Sequence, residues 1–185
     1  MMAAIGFCAF DTAIGPCGIA WTRDAVASAQ LPEGDRAGTL RRLQRRHPES
    51  AEAAPPEWVA RVIERVQALL EGGRDDLADV PLAWGDEPEF NRHVYEITRA
   101  IPPGRTLTYG DIARQIGDVG ASRAVGQALG HNPFAPIVPC HRVLGAGNSG
   151  TGFSATGGVA TKLKMLEIER AQLGAHRGLF DEPAR

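Results

Sequence analysis

Two short segments and the turn between them decide the fold. They read Leu107-Thr108-Tyr109-Gly110-Asp111-Ile112-Ala113-Arg114-Gln115-Ile116-Gly117, then Asp118-Val119-Gly120, then Ala121-Ser122-Arg123-Ala124-Val125-Gly126-Gln127-Ala128-Leu129-Gly130. Thr108 can cap a helix, and Asp111 three positions on completes a capping-box-like pair. Ile112, Ala113 and Ile116 fall on the inward face, and Gly117 closes the helix. After the turn a second short helix runs from about Ala121 to Leu129 and is ended by Gly130. Helix, glycine-containing turn, helix is the helix-turn-helix arrangement. The side chains of the second helix are small. A major-groove reader usually offers long polar groups to base edges, whereas here one long cation, Arg123, stands among Ala, Ser and Gly. Small residues let a helix approach a narrow minor groove, but they equally suit a tight helix–helix contact, and composition leaves both open.

Working outward, Pro88 sits at a first helical turn, and Phe90, Val94, Ile97 and Ile101 then repeat on one face until Pro102-Pro103-Gly104. On the other side comes Pro139-Cys140-His141-Arg142-Val143, preceded by Ile137-Val138, an apolar β-branched pair that predicts a short buried strand presenting the cysteine. A thiolate is a strong nucleophile and an imidazole is the usual group that takes its proton. Neighbouring side chains do not easily touch, so a water between Cys140 and His141 is expected. Arg142 reads as a structural ion-pair partner. A last helix is expected from about Val159 to Gln172, with Val159, Leu163, Met165 and Leu166 inward.

The first half opens with three apolar runs, Ile5–Phe10, Cys17–Thr22 and Ala25–Leu31, broken at Gly15-Pro16 and Arg23-Asp24 in a meander pattern. Thr39 is expected to cap a short helix through Arg46, with Arg41, Arg42, Arg45 and Arg46 as its solvated face. A second helix follows Pro55-Pro56, carrying Val59, Val62, Ile63, Val66, Leu69 and Leu70 on one stripe and stopping at Gly72-Gly73. Asp75–Glu87 reads as an acidic linker. The resulting class is α+β: a small N-terminal β-sheet/helix domain (1–86), a mainly helical, winged helix-turn-helix-like domain (87–175), and a tail (176–185).

Residues 1–89 carry nine basic and fifteen acidic side chains, residues 90–185 eleven and seven. The positive half is the half with the cysteine motif, which suits a polyanionic partner. Three cysteines without CxxC pairs (Cys8, Cys17, Cys140), and no signal-peptide or membrane-spanning pattern, predict free thiols in a cytoplasmic protein. Cys8 and Cys17 read as small hydrophobes. Cys8, Cys17 and His47 lack close ligand spacing, so no metal is expected, and no cofactor.

These pieces together resemble the C-terminal domain of the O6-alkylguanine-DNA alkyltransferases over residues 90–173. The resemblance is carried by Leu107–Ala113, Ser122–Gly126, His131-Asn132-Pro133, Ile137–Val143, and Gly157-Gly158 with Lys162 and Glu169. The first half is similar only loosely. The resemblance implies direct-reversal repair of DNA: irreversible transfer of an alkyl group from O6-alkylguanine, and by extension O4-alkylthymine, to Cys140, once per protein. The base is flipped out of the duplex, because the reacting carbon is inaccessible inside stacked DNA. Arg123 would fill the gap it leaves. Tyr109 would turn the nucleotide by crowding its 3′ phosphate and would protonate N3 of the departing guanine. Ser122, Ala124 and Gly126 would line the helix face against a minor groove. Asn132 would orient the cysteine loop, and His141 and Glu169 would relay the thiol proton through water. Leu129, Val143, Phe153 and Ser154 would form the substrate pocket, with backbone carbonyls of Cys140 and Val143 reading the guanine edge. The implied partner is double-stranded DNA bound by a monomer, with cooperative binding left open.

Two positions depart from the family pattern. Phe153 stands where a tyrosine is often found, and Ala155-Thr156 lengthens the loop before Gly157-Gly158. The size of alkyl group accepted is therefore open. Two competing functions remain: a damage sensor or regulator without repair, and a cysteine hydrolase or thiol oxidoreductase. The last would need an oxyanion hole or resolving thiol that the sequence does not show.

Overall fold

The computed structural model describes residues 4–148 and 157–171. Three antiparallel strands open it in the order β1 (Gly6–Thr12), β2 (Gly15–Trp21), β3 (Val26–Gln30). The first reversal falls at Ala13-Ile14 rather than at Gly15-Pro16, and Pro16 lies inside β2 opposite Asp11. Pro16 has no N–H to give, and pairing with β3 begins only at Gly18, so no ladder bond is lost there. The second reversal is the expected one: Thr22 N donates to Ala25 O at 2.8 Å, and Thr22 Oγ1 accepts from Ala25 N at 3.1 Å.

Helix α1 (Arg36–Arg46) starts earlier than Thr39. Asp35 is the cap, its carboxylate accepting from Gly38 N at 2.7 Å. Thr39 is buried instead, donating to Pro16 O at 2.8 Å and accepting from Glu33 N at 3.1 Å. It fastens α1 to β2 rather than opening the helix. Helix α2 (Glu57–Leu70) follows the sequence pattern, with all six stripe residues buried.

The acidic segment after α2 is tied down at both ends. Arg65 holds Asp75 and Asp79, each at 2.6 Å. Arg99 Nη2 donates to the carbonyls of Leu77, Ala78 and Val80. One apolar core runs through both halves, joining Val26, Leu69 and Leu77 to Val94, Tyr95 and Phe134. Ala29 N donates to Pro133 O at 2.8 Å across the same junction.

The second half is α3 (Glu89–Arg99), β4 (Leu107–Thr108), α4 (Tyr109–Ile116), α5 (Ser122–Gly130), a 3-10 turn Cys140–Arg142, β5 (Val143–Leu144), a short 3-10 turn Ala146–Asn148, and α6 (Gly158–Ile168). Both arms of the capping box at Thr108 and Asp111 form, and Gly117 ends α4 at φ +91°, a left-handed position that suits glycine. Strands β4 and β5 pair in parallel, Leu107 with Val143 and Thr108 with Leu144.

Two local expectations are corrected. Ile137 and Val138 are buried but form no strand. Pro136 and Pro139 bracket them and supply no N–H, so the backbone bonds are short turns, Val138 N to Phe134 O and Cys140 N to Val138 O. In α6, Met165 and Leu166 turn inward as expected, but Val159 and Leu163 are 42% and 44% exposed, and Lys162 is buried in their place. Polar anchors for Lys162 and Glu169, described next, set that rotation. Gln172, expected in this helix, lies outside the described residues.

Candidate active site around Cys140

The parallel β4–β5 pair builds the site. Strand β4 runs straight into Tyr109, the first residue of α4, and β5 begins immediately after the Cys140 turn. Pairing two residues of each strand therefore brings the phenol, the thiol and the helix-turn-helix to one place.

Cys140 opens the 3-10 turn and is 8% exposed. Burial pushes its thiol up, while a hydrogen bond from Asn132, the charge of Lys162 and the local backbone N–H groups pull the other way. Asn132 also holds the loop from within: Nδ2 donates to Val138 O at 2.8 Å and Oδ1 accepts from Phe134 N at 2.9 Å.

His141 and Arg142 follow, each 1% exposed, and both reach Glu169 at the end of α6. His141 Nε2 lies 2.8 Å from Glu169 Oε1, and Arg142 Nη2 donates to the same oxygen at 2.8 Å. Arg142 Nε spans both carboxylate oxygens, and Nη1 donates to Ile101 O at 2.6 Å. Burial alone would raise Glu169, but the bonds from His141 and Arg142 outweigh it and hold the carboxyl at about 2. Burial lowers His141 more than Glu169 raises it. The pair is thus a neutral imidazole giving Nε2–H to a carboxylate, which leaves Nδ1 free to take a proton. Arg142 is structural, as its sequence context suggests.

Tyr109 is half-buried; burial and then the charge of Cys140 keep its phenol protonated above the usual range. On α5, Arg123 and Ala124 are exposed, and Arg123 makes no ion pair or hydrogen bond among the described residues. Gly126 faces the Tyr109 ring, where an added Cβ would stand 3.9 Å from two ring carbons. Ser122 packs by Gly110, Leu129 is buried beside Cys140, and Val143 is fully buried. Phe153 and Ser154 lie outside the described residues.

Lys162 carries a role the residue pattern did not assign. It is fully buried, donates Nζ to Val143 O at 2.6 Å, and lies 5.9 Å over the Tyr109 ring centroid. Burial lowers its ammonium, and Cys140 as a thiolate would raise it. One lone pair of the Val143 carbonyl is therefore occupied. The signal was present: Lys162, Met165, Leu166 and Glu169 repeat at helical spacing, so a cation and a carboxylate lie on an apolar stripe. Tyr95 was also missed as a scaffold; its hydroxyl donates to Ala128 O at 2.8 Å and its ring stacks on Trp84. Cys8 and Cys17 are buried free thiols on β1 and β2, pushed up to about 11 and about 12 chiefly by burial, consistent with small hydrophobes.

A family model described as "6-O-methylguanine DNA methyltransferase, DNA binding domain" matches residues 89–171. The chain is 50% identical over 126 residues to a Mycolicibacterium paratuberculosis protein named methylated-DNA–protein-cysteine methyltransferase, covering 68% of this chain and 74% of that one. It is 31% identical over 156 residues to a protein of the same name from Methanothermobacter thermautotrophicus, covering 84% and 80%. Among solved structures, that of Mycobacterium tuberculosis OGT in complex with DNA superposes with a TM-score of 0.72 at 33% identity, over 90% of this chain and 93% of that one.

Proposed function

The chain belongs to the methylated-DNA–protein-cysteine methyltransferases, DNA-binding enzymes of alkyl-transfer repair, and on that premise we propose that Cys140 accepts the alkyl group itself, once, from an O6-alkylguanine turned out of the duplex. The observation that supports this most is the buried run Cys140–His141–Glu169, with Asn132 on the thiol and Arg142 locking the carboxylate.

The chemistry follows from these groups. A thiol raised by burial needs a base at the moment of reaction. His141 Nδ1 takes the proton through a water, and Glu169 stabilises the imidazolium that results. Sulfur attacks the alkyl carbon in line, the carbon–O6 bond breaks, and its electron pair leaves with guanine. Guaninate departs poorly unless protonated, and the Tyr109 phenol holds a proton to give to N3. The thioether has no hydrolysis route, so the protein acts once.

Arg123, the exposed cation of a small-residue helix, replaces the extruded nucleotide, while Ala124 and Gly126 let α5 approach a minor groove. O4-alkylthymine offers the same reacting carbon on a smaller base and belongs to the same proposal. The protein works as a monomer, and residues 1–86 support the domain that follows.

DNA carrying a labelled O6-methyl group tests the proposal. One label per protein, absent in Cys140→Ala, is the expected result. Turnover above one, or binding without transfer, rejects it, the latter in favour of a damage sensor.

A further inference from the structure

Strand β3, helix α1 and the loop before Cys140 enclose a cavity of about 140 Å³. Cys140 is in its wall, with Leu129 and Ala135, and the first half of the chain contributes Glu33, Arg42 and Arg46. Arg42 is compensated there: Nη1 meets Glu33 Oε1 at 2.9 Å and Nε donates to Gln30 Oε1 at 3.1 Å. Arg46 is not. Among the described residues its one hydrogen bond is long, 3.5 Å to Pro133 O, and no carboxylate is within salt-bridge distance. Burial, and then the charge of Arg42, press on its guanidinium, with Tyr95 and Glu87 opposing. A guanidinium keeps its charge regardless. The wall beside the nucleophile thus holds a partly desolvated, under-compensated cation, and an anion arriving there is favoured.

In-line attack fixes where such an anion could come from. Sulfur, the reacting carbon and O6 lie on one line, so any substituent on that carbon must extend sideways from it, next to Sγ. A methyl group has none. We propose that this cavity receives the substituent of the transferred carbon, and that Arg46 selects adducts ending in a carboxylate, carboxymethyl the smallest, over neutral adducts of the same size. The assignment rests on Cys140 being the alkyl acceptor. The step balances without another reagent: Cys140 thiolate bonds to the CH2, the carbon–O6 bond breaks, and guanine leaves with the electron pair and gains the proton from Tyr109. S-carboxymethylcysteine remains with its carboxylate facing Arg46.

The test uses the full chain and duplexes of one sequence bearing O6-methyl-, O6-carboxymethyl- or O6-(carbamoylmethyl)guanine, the last a neutral isostere. Single-turnover rates give a carboxymethyl-to-carbamoylmethyl ratio for each protein, so intrinsic reactivity cancels between proteins. A charge-assisted contact predicts a ratio about tenfold higher in the wild type than in Arg46→Gln, and largely kept in Arg46→Lys. An unchanged ratio overturns the proposal, including a uniform slowing on all three duplexes, which would put Arg46 on the DNA backbone. A measurement without variants or DNA stands behind it: alkylation of Cys140 in the wild type by iodoacetate and by iodoacetamide. The acetate-to-amide rate ratio should exceed that of free glutathione, and a ratio at or below it also overturns the proposal. Absence of transfer from O6-methylguanine would instead overturn the acceptor reading beneath it.

Discussion

His141 Nε2 and Glu169 Oε1 meet at 2.8 Å in a part of the molecule where both side chains are almost wholly buried, and Arg142 shares the same carboxylate. One group therefore serves two ends: it orients a base and neutralises a buried cation. The two are separable. Glu169→Gln removes the charge from both partners and should cost about 3 kcal/mol or more, because Arg142 is left buried and uncompensated. His141→Gln leaves the Arg142–Glu169 pair standing and should cost much less. Both should slow alkyl transfer by about a hundredfold, the usual worth of a positioned base. Urea unfolding beside single-turnover rates checks this. Equal stability losses in the two variants would show that the carboxylate's bond to Arg142 carries no special weight.

Gly126 allows the close-approach reading of α5 to be separated from packing. Among the described residues, a Cβ there meets only the Tyr109 ring, at ordinary contact distance. Gly126→Ala should therefore fold normally and gain up to about 1 kcal/mol from helix propensity. Against duplex DNA the same methyl occupies the space a minor-groove wall needs, so affinity should fall. Fluorescence anisotropy on a short duplex reads it. Full affinity in a correctly folded variant removes the close-approach role.

Arg123→Ala should leave reaction with free O6-benzylguanine within about twofold of the wild type, since the exposed guanidinium makes no hydrogen bond or ion pair among the described residues. Repair of the same lesion in a duplex should slow far more, because the vacated stack is then unfilled and flipping costs a few kcal/mol. Equal losses on base and duplex would remove the flipping role.

How much of this was legible depended on whether the signal was local. The capping box at Thr108 and Asp111, the stripe of α2 and the Arg23-Asp24 turn all depend on residues within a few positions of one another, and each forms as read. Thr39 and Lys162 were misjudged or passed over because their partners lie far away in the chain: Pro16 for one, Val143 for the other. The rotation of α6 has the same origin. Its apolar residues would permit several faces, and the inward one is chosen by Lys162 and Glu169 reaching distant backbone and cation partners. Arg46 read as part of a solvated face because nothing in α1 announces that β3 and Pro133 close over it.

Acidification should weaken the fold in two separate windows. His47 is buried with its Nε2 2.7 Å from Ser28 Oγ, and burial, then the charge of Arg46, lowers its pKa; His141 is lowered as well. A histidine whose folded pKa lies below its unfolded value binds its proton more readily when unfolded. Its contribution is complete above about pH 6.5 and is lost as pH falls below that, by at most about 1.4 kcal/mol per pH unit for each group. Glu169 works in a lower window. Its folded carboxyl titrates at about 2, so its contribution is present above the unfolded value of about 4.3 and disappears as pH falls toward 2. Urea midpoints should be flat from pH 8 to 7, fall from 6.5 to 5, and fall again below 4.5. His47→Gln should flatten the first fall in part and leave the second intact. A midpoint unchanged between pH 7 and 5 would mean that neither histidine is held neutral by the fold.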